Sequence, residues 1–103
     1  MLNNIIKRSL EIYSTSSEEE INAMLRQSPD EKSIEEAMVM AWMSAQQASM
    51  LDQMEEADFF YELIAQYCYT KGDIHGFVIA NGWRHACNMN LSPDKAGYIG
   101  MAC

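Results

Sequence analysis

The chain has 103 residues, 49% of them hydrophobic and 21% charged, which is enough apolar material for a single domain over residues 1–103 and too much for general disorder. Its formal net charge of −8 is uneven: residues 1–32 hold six acids against four bases, residues 33–73 eight against one, and residues 74–103 one against two, so direct nucleic-acid binding, which needs clustered Lys and Arg, is disfavoured. Lys7 and Arg8 interrupt the apolar start that a secretory leader would need, and the uncharged stretch Ala37 to Leu51 is shorter than the roughly 20 apolar residues of a membrane span, so neither export nor membrane insertion is expected.

Leu2, Ile5, Ile6, Leu10 and Tyr13 recur at helical spacing with Lys7, Arg8 and Glu11 off the stripe, which predicts an amphipathic first helix docked by that face. Ser14 to Ser17 supply a turn and an N-cap, Glu18, Glu19 and Glu20 suit the positive end of a helix dipole, and Ile21, Met24 and Leu25 give a buried side. A second short helix over about 17–27 follows, ended by Ser28-Pro29-Asp30.

Ser33 and Glu36 form an S-x-x-E capping box that starts a third helix, and neither Gly nor Pro occurs from there to Lys71. Those 39 residues as one helix would run about 58 Å, against a radius of gyration near 13 Å for a domain of about 100 residues. A break near Ser49 to Asp52 resolves the conflict by folding an αα-hairpin, since Ser49-x-x-Asp52 and Asp52-x-x-Glu55 both read as helix starts. The other solution is a continuous helix whose residues Met43, Gln47, Met50, Met54, Ala57, Tyr61, Ile64 and Cys68 form the seam of a coiled coil with a partner chain. Gln, Ala and Cys are weak seam residues, so the hairpin is the expected form.

Gly72-Asp73 is the clearest punctuation, because Gly takes the left-handed position that closes one helix and Asp caps the next. Ile74, Phe77, Val78, Ala80, Trp83, Ala86 and Cys87 then predict a mostly apolar helix to about Asn88. Gly76 and Gly82 weaken it by about 1 kcal/mol each relative to Ala, and either admit a close helical neighbour or mark a fray. Ser92-Pro93-Asp94 reads as one further helix start. Around the Gly72 turn, Ala65, Tyr67, Gly72 and Asp73 resemble the middle of a tetratricopeptide repeat over about 20 residues. Phe77 stands where that family has a small residue, and no second copy recurs at a period of about 34, so the resemblance implies helical hairpins only. Period-two alternation is nowhere sustained. The predicted fold class is therefore all-α, a compact bundle of four to five helices built from helical hairpins, with one long central helix as the alternative.

Five of the nine methionines, Met38, Met40, Met43, Met50 and Met54, fall within 17 residues. Met is unbranched and polarizable, so a surface rich in it adapts to several apolar partners. Ala37, Met38, Ala41, Trp42, Ala45 and Ala48 lie on one side of the third helix, and Val39, Met43 and Met50 on another. Such a helix is central in its own bundle or shared with a partner. Phe59, Phe60, Tyr61, Tyr67 and Tyr69 cannot all face one core, so at least one of Phe59 and Phe60 is expected to touch another helix or another molecule. Met43, Met50, Met54, Phe59 and Tyr61 are accordingly the candidate partner-binding residues, for another protein or for a second copy in a homodimer. They predict a non-enzymatic adaptor, chaperone-like or regulatory module.

Asp52, Glu55, Glu56, Asp58 and Glu62 lie opposite the apolar stripe and predict an acidic ridge. A solvated helix face is its plain role. Its functional role would be to imitate nucleic-acid phosphates, in an inhibitor of a DNA- or RNA-binding protein of the host-takeover or anti-defence kind. Cys68, His75, His85 and Cys87 mix thiolate and imidazole groups, but at spacings that match no common zinc pattern and with no Gly-rich nucleophile turn. No metal, cofactor or catalytic residue is expected. With Cys103, the cysteines form an odd, widely spaced set, which predicts free thiols in a reducing cytoplasm.

Overall fold

The computed structural model describes residues 1–27 and 33–91, with 89–91 as helix backbone. Ser28-Pro29-Asp30, Ser92-Pro93-Asp94 and Cys103 lie outside the described residues. Among the described residues five helices form and no strand: α1 (Leu2–Thr15), α2 (Glu18–Arg26), α3 (Ile34–Met50), α4 (Met54–Thr70) and α5 (Ile74–Leu91). None is long and apolar enough to cross a membrane.

The first helix docks on α3 by Leu2, Ile5, Ser9 and Ile12, a narrower seam than the predicted stripe. Leu10 and Tyr13 are exposed instead. Ser9 fits this seam because its Oγ donates to the Ile6 carbonyl at 2.7 Å, so no polar atom is left unsatisfied inside. In α2 the expected cap is a full box. The Glu20 amide donates to Ser17 Oγ at 3.1 Å and the Ser17 amide to Glu20 Oε1 at 3.0 Å. Those bonds from Ser17, backbone first, hold the Glu20 carboxyl below the usual range. Ser33 caps α3, its Oγ accepting the Glu36 amide at 3.2 Å.

The glycine-free middle breaks after Met50. The Gln53 amide donates to the Ala48 carbonyl at 2.8 Å and the Asp52 amide to Ser49 at 3.3 Å, the two bonds of a Schellman closure, with Asp52 left-handed at φ 58°. The end of α4 repeats the device. There the Asp73 amide donates to Cys68 at 2.8 Å and the Gly72 amide to Tyr69 at 3.1 Å, with Gly72 at φ 81°. Neither expected helix start forms the N-cap of α4, which is Gln53 and makes no side-chain bond. The chain is broken by closing the preceding helix rather than by capping the next. The hairpin is thus the arrangement adopted, with a radius of gyration of 14.1 Å and a longest dimension of 40 Å, too short for a helix of about 58 Å.

Of the two predicted apolar sides of α3, Met38, Ala41, Trp42, Ala45 and Ala48 on one and Val39 and Met43 on the other are buried, because this helix contacts α1, α2 and α4 and is the centre of the bundle, whereas Met50 near its end is exposed. On the far side, α4 packs on α5. Trp42 of α3, Tyr61 of α4 and Trp83 of α5 meet in one aromatic cluster: Trp42 stands edge-on to Tyr61 at 5.6 Å and to Trp83 at 6.3 Å, and Tyr61 stacks on Trp83 at 6.1 Å. Three helices are fixed to one another by these rings.

Asp73 joins the starts of α1 and α5 at one end of the bundle. Its Oδ2 accepts the Leu2 amide at 2.9 Å and its Oδ1 the Gly76 amide at 3.0 Å, so one carboxylate caps α5 and anchors the start of α1. Gly76 admits this approach, because a β-carbon there would fall 2.8 Å from Leu2 Cβ and onto the Asp73 carboxylate. The apolar stripe read in α5 is only partly inside. Ala80 and Cys87 are buried, whereas Ile74 and Val78 are exposed, because α5 has a close neighbour chiefly on its α4 side.

Candidate functional site

Two clefts are large enough to receive another molecule. The larger, about 520 Å³, lies between α1 and the start of α3 and is walled by Arg8, Glu35, Glu36, Asn4 and Ser33 over an apolar floor that includes Ile5 and Val39. Its charges of both signs favour water over an apolar guest. The second, about 330 Å³, lies between α2 and the α3–α4 hairpin, and its walls are almost wholly apolar: Met24 and Leu25 of α2, Ala37, Met38, Met40 and Ala41 of α3, and Phe60 and Leu63 of α4.

This second cleft does not stop at its own mouth. Leu25, Ser44 and Phe60 also line an adjoining hollow with Gln47, Leu51, Gln53 and Glu56, and Phe60 and Glu56 line a third with Phe59 and Glu55. The first two form a groove along α3 from Ala37 to Leu51, about 21 Å of helix axis, and the third continues it over α4. Leu63 at 42% exposure, Phe59 at 61% and Leu51 at 68% stand along it. Phe59 and Phe60 touch edge-to-face at 5.5 Å, Phe60 turned into the groove and Phe59 outward at its acidic end.

The groove follows from the sequence. On α4 the core stripe is Ala57, Tyr61, Ile64 and Cys68, and steps of about 100° set Phe60 and Leu63 on the flank of that stripe. On α3, Ala37, Met40 and Ser44 occupy the matching flank. Met24 and Leu25 of α2 overhang both, and α2 is only nine residues long, so it covers one end and leaves the rest open.

The five expected partner-binding residues are divided by this structure. Met43 and Tyr61 are fully buried in the chain's own core, Met54 is half-buried against that core, and Met50 and Phe59 are exposed. Of the five, Phe59 lines the groove. Tyr61 is held inside by its ring contacts and by Gln46 Nε2, which donates to its Oη at 2.7 Å, and burial, then Cys87, pushes its phenol up to about 12. Met24, Leu25, Met40, Phe60 and Leu63 are the groove residues absent from that set. Their signal was the second apolar flank beside each core stripe.

The acidic ridge is interrupted. Asp52, Glu55 and Glu56 are exposed, but Asp58 Oδ1 accepts from Arg84 Nε and from Asn88 Nδ2, both at 3.1 Å, and Arg84 Nη2 lies 3.7 Å from Glu62. Two of the five carboxylates therefore serve the α4–α5 contact, a neighbour that the periodicity of α4 alone does not reveal. Cys68 and Cys87 are buried and free. Burial, then Asp73, pushes the Cys68 thiol up, and burial, then Asp58, does the same to Cys87, which favours the unreactive protonated form. Among the described residues no three His, Cys, Asp or Glu side chains converge as a metal site would require. No family model, curated protein or solved structure matches this chain.

Proposed function

We propose that this chain is a non-enzymatic protein-binding module of the adaptor, chaperone-like or regulatory kind, and that its groove receives the apolar face of a partner helix. The observation that carries this reading is the open, Met- and Phe-lined channel between α2 and the α3–α4 hairpin, about 21 Å along α3 and long enough for roughly four helical turns. Flexible methionine side chains suit an adaptable receptor, and Phe60 and Leu63 supply larger anchors. Glu55 and Glu56 mark one end of the channel as acidic, so a partner helix with Lys or Arg beside its apolar stripe fits best. Asp58 and Glu62 are drawn onto Arg84, which favours this reading over an array of free charges imitating nucleic acid. Free buried thiols fit a reducing, cytoplasmic setting.

The test is an anisotropy titration of a labelled Leu/Lys amphipathic peptide of about 18 residues against the wild-type chain and Leu63→Glu. Leu63 is partly exposed, so Leu63→Glu should keep the fold, which unchanged helical circular dichroism checks. Added negative charge would strengthen a purely electrostatic association with this basic peptide, whereas groove binding should weaken at least about tenfold. Absence of binding, or equal or tighter binding by Leu63→Glu, contradicts the reading.

A further inference from the structure

Three of the nine methionines, Met24 of α2 and Met38 and Met40 of α3, line one cleft of about 330 Å³. They differ in reach. Met24 and Met40 are half-buried and Met38 is 9% exposed, whereas Met43 in the core is wholly enclosed. Met50, which lines no part of the groove, is 84% exposed. Thiols ordinarily meet an oxidant before thioethers do, because the thiolate is the stronger nucleophile. Cys68 and Cys87 are withdrawn from that role, since both are buried and burial holds both in the protonated form. Among the described residues, the sulfur within reach of solvent is therefore thioether sulfur, and part of it walls the groove.

We infer that Met24 and Met40 form an oxidation switch on the groove, turned off by hydrogen peroxide and restored by methionine sulfoxide reductases. This rests on the groove's being the receptor of an apolar helix. A lone pair of the thioether sulfur attacks one peroxide oxygen, the O–O bond breaks and an S–O bond forms. Sulfur is oxidised by two electrons, and the other oxygen leaves as water with both protons. Each sulfoxide sets a strong acceptor in a wall whose polar side chains, among the described residues, are Gln27 and Ser44. That acceptor holds water, which an apolar partner would have to strip off without replacing its hydrogen bonds. Met24 and Met40 stand on facing elements, α2 and α3, so both walls are wetted together. Phe60 and Leu63 carry no sulfur, and the enclosed Met43 is out of an oxidant's reach, so the core beneath keeps its packing.

The full chain is treated with hydrogen peroxide and its sulfoxides are mapped by peptide mass spectrometry. Binding of a labelled, methionine-free Leu/Lys peptide of about 18 residues is then followed by anisotropy. Oxygen should appear on Met24 and Met40 with the helical circular dichroism kept, and affinity should fall at least about tenfold. Reduction by the two reductases, one for each sulfoxide epimer, should restore it. In Met24→Leu/Met40→Leu the ratio of affinities before and after peroxide should lie near unity, whatever the starting affinity, whereas Met50→Leu should remain sensitive. Affinity unchanged with both sulfoxides present overturns the inference and leaves the proposed function standing. So does oxidation at Met50 that spares Met24 and Met40, an equal loss in the double variant, or unfolding on oxidation. Absence of binding before peroxide removes the proposed function, and the switch with it.

Discussion

Asp52 holds a left-handed backbone that costs a residue with a β-carbon on the order of 1 kcal/mol, and it does so because the Schellman closure of α3 requires that conformation at this position. Asp52→Gly should therefore raise stability by about 0.5–1 kcal/mol, and Asp52→Ile should lower it by at least about 1 kcal/mol, both measured by urea denaturation. Tyr61 makes a second single-residue prediction. Burial lifts its folded pKa to about 12, above the unfolded value near 10, so the folded chain retains the proton more tightly. The stability this contributes is complete below about pH 10 and is lost as pH rises toward about 12. Tyr61→Phe should cost about 1 kcal/mol at neutral pH by removing the Gln46 bond, and should remove Tyr61's part of the alkaline loss in stepwise denaturation.

At the scale of elements, the same turn occurs twice, and only one copy was legible. Gly72 announces its left-handed position by its identity, whereas Asp52 occupies the equivalent position as one acid among several. The length of an unbroken helix showed that the middle had to fold back, but not which residue turned it. A similar limit explains the site. Periodicity set Tyr61 and Met43 on an apolar face without showing that α3, α4 and α5 enclose that face completely, and it set Asp58 on a polar face without showing that Arg84 closes over it. The short, open side of the bundle depends on the length of α2 and on where it crosses the hairpin, which are tertiary facts. Asp73 tests the junction of elements most simply. Hydrogen bonds from the Leu2 and Gly76 amides hold its carboxyl below the ordinary aspartate range, so its contribution is present at neutral pH and lost as pH falls from about 4 through the lower folded value. Asp73→Ala should lower Tm by about 5 °C at pH 7, and by less at pH 3, as followed by thermal circular dichroism.

The whole molecule is a small bundle with a closed core and, between α2 and the α3–α4 hairpin, an uncovered apolar groove that is acidic at one end. Association through the groove with a basic helix should weaken moderately between low and physiological salt and then persist, because apolar burial outlasts screening.

If the channel between α2 and the α3–α4 hairpin receives an apolar helix, the methionine methyls that line it must touch that helix. The most direct measurement is methyl nuclear magnetic resonance of the chain with labelled methionines, recorded with an unlabelled amphipathic Leu/Lys helix present. Intermolecular Overhauser contacts should run from the peptide to the methyls of Met24, Met38 and Met40, which line the channel, and none to the fully buried Met43. Contacts confined to Met50, or a spectrum unchanged by saturating peptide, would contradict it.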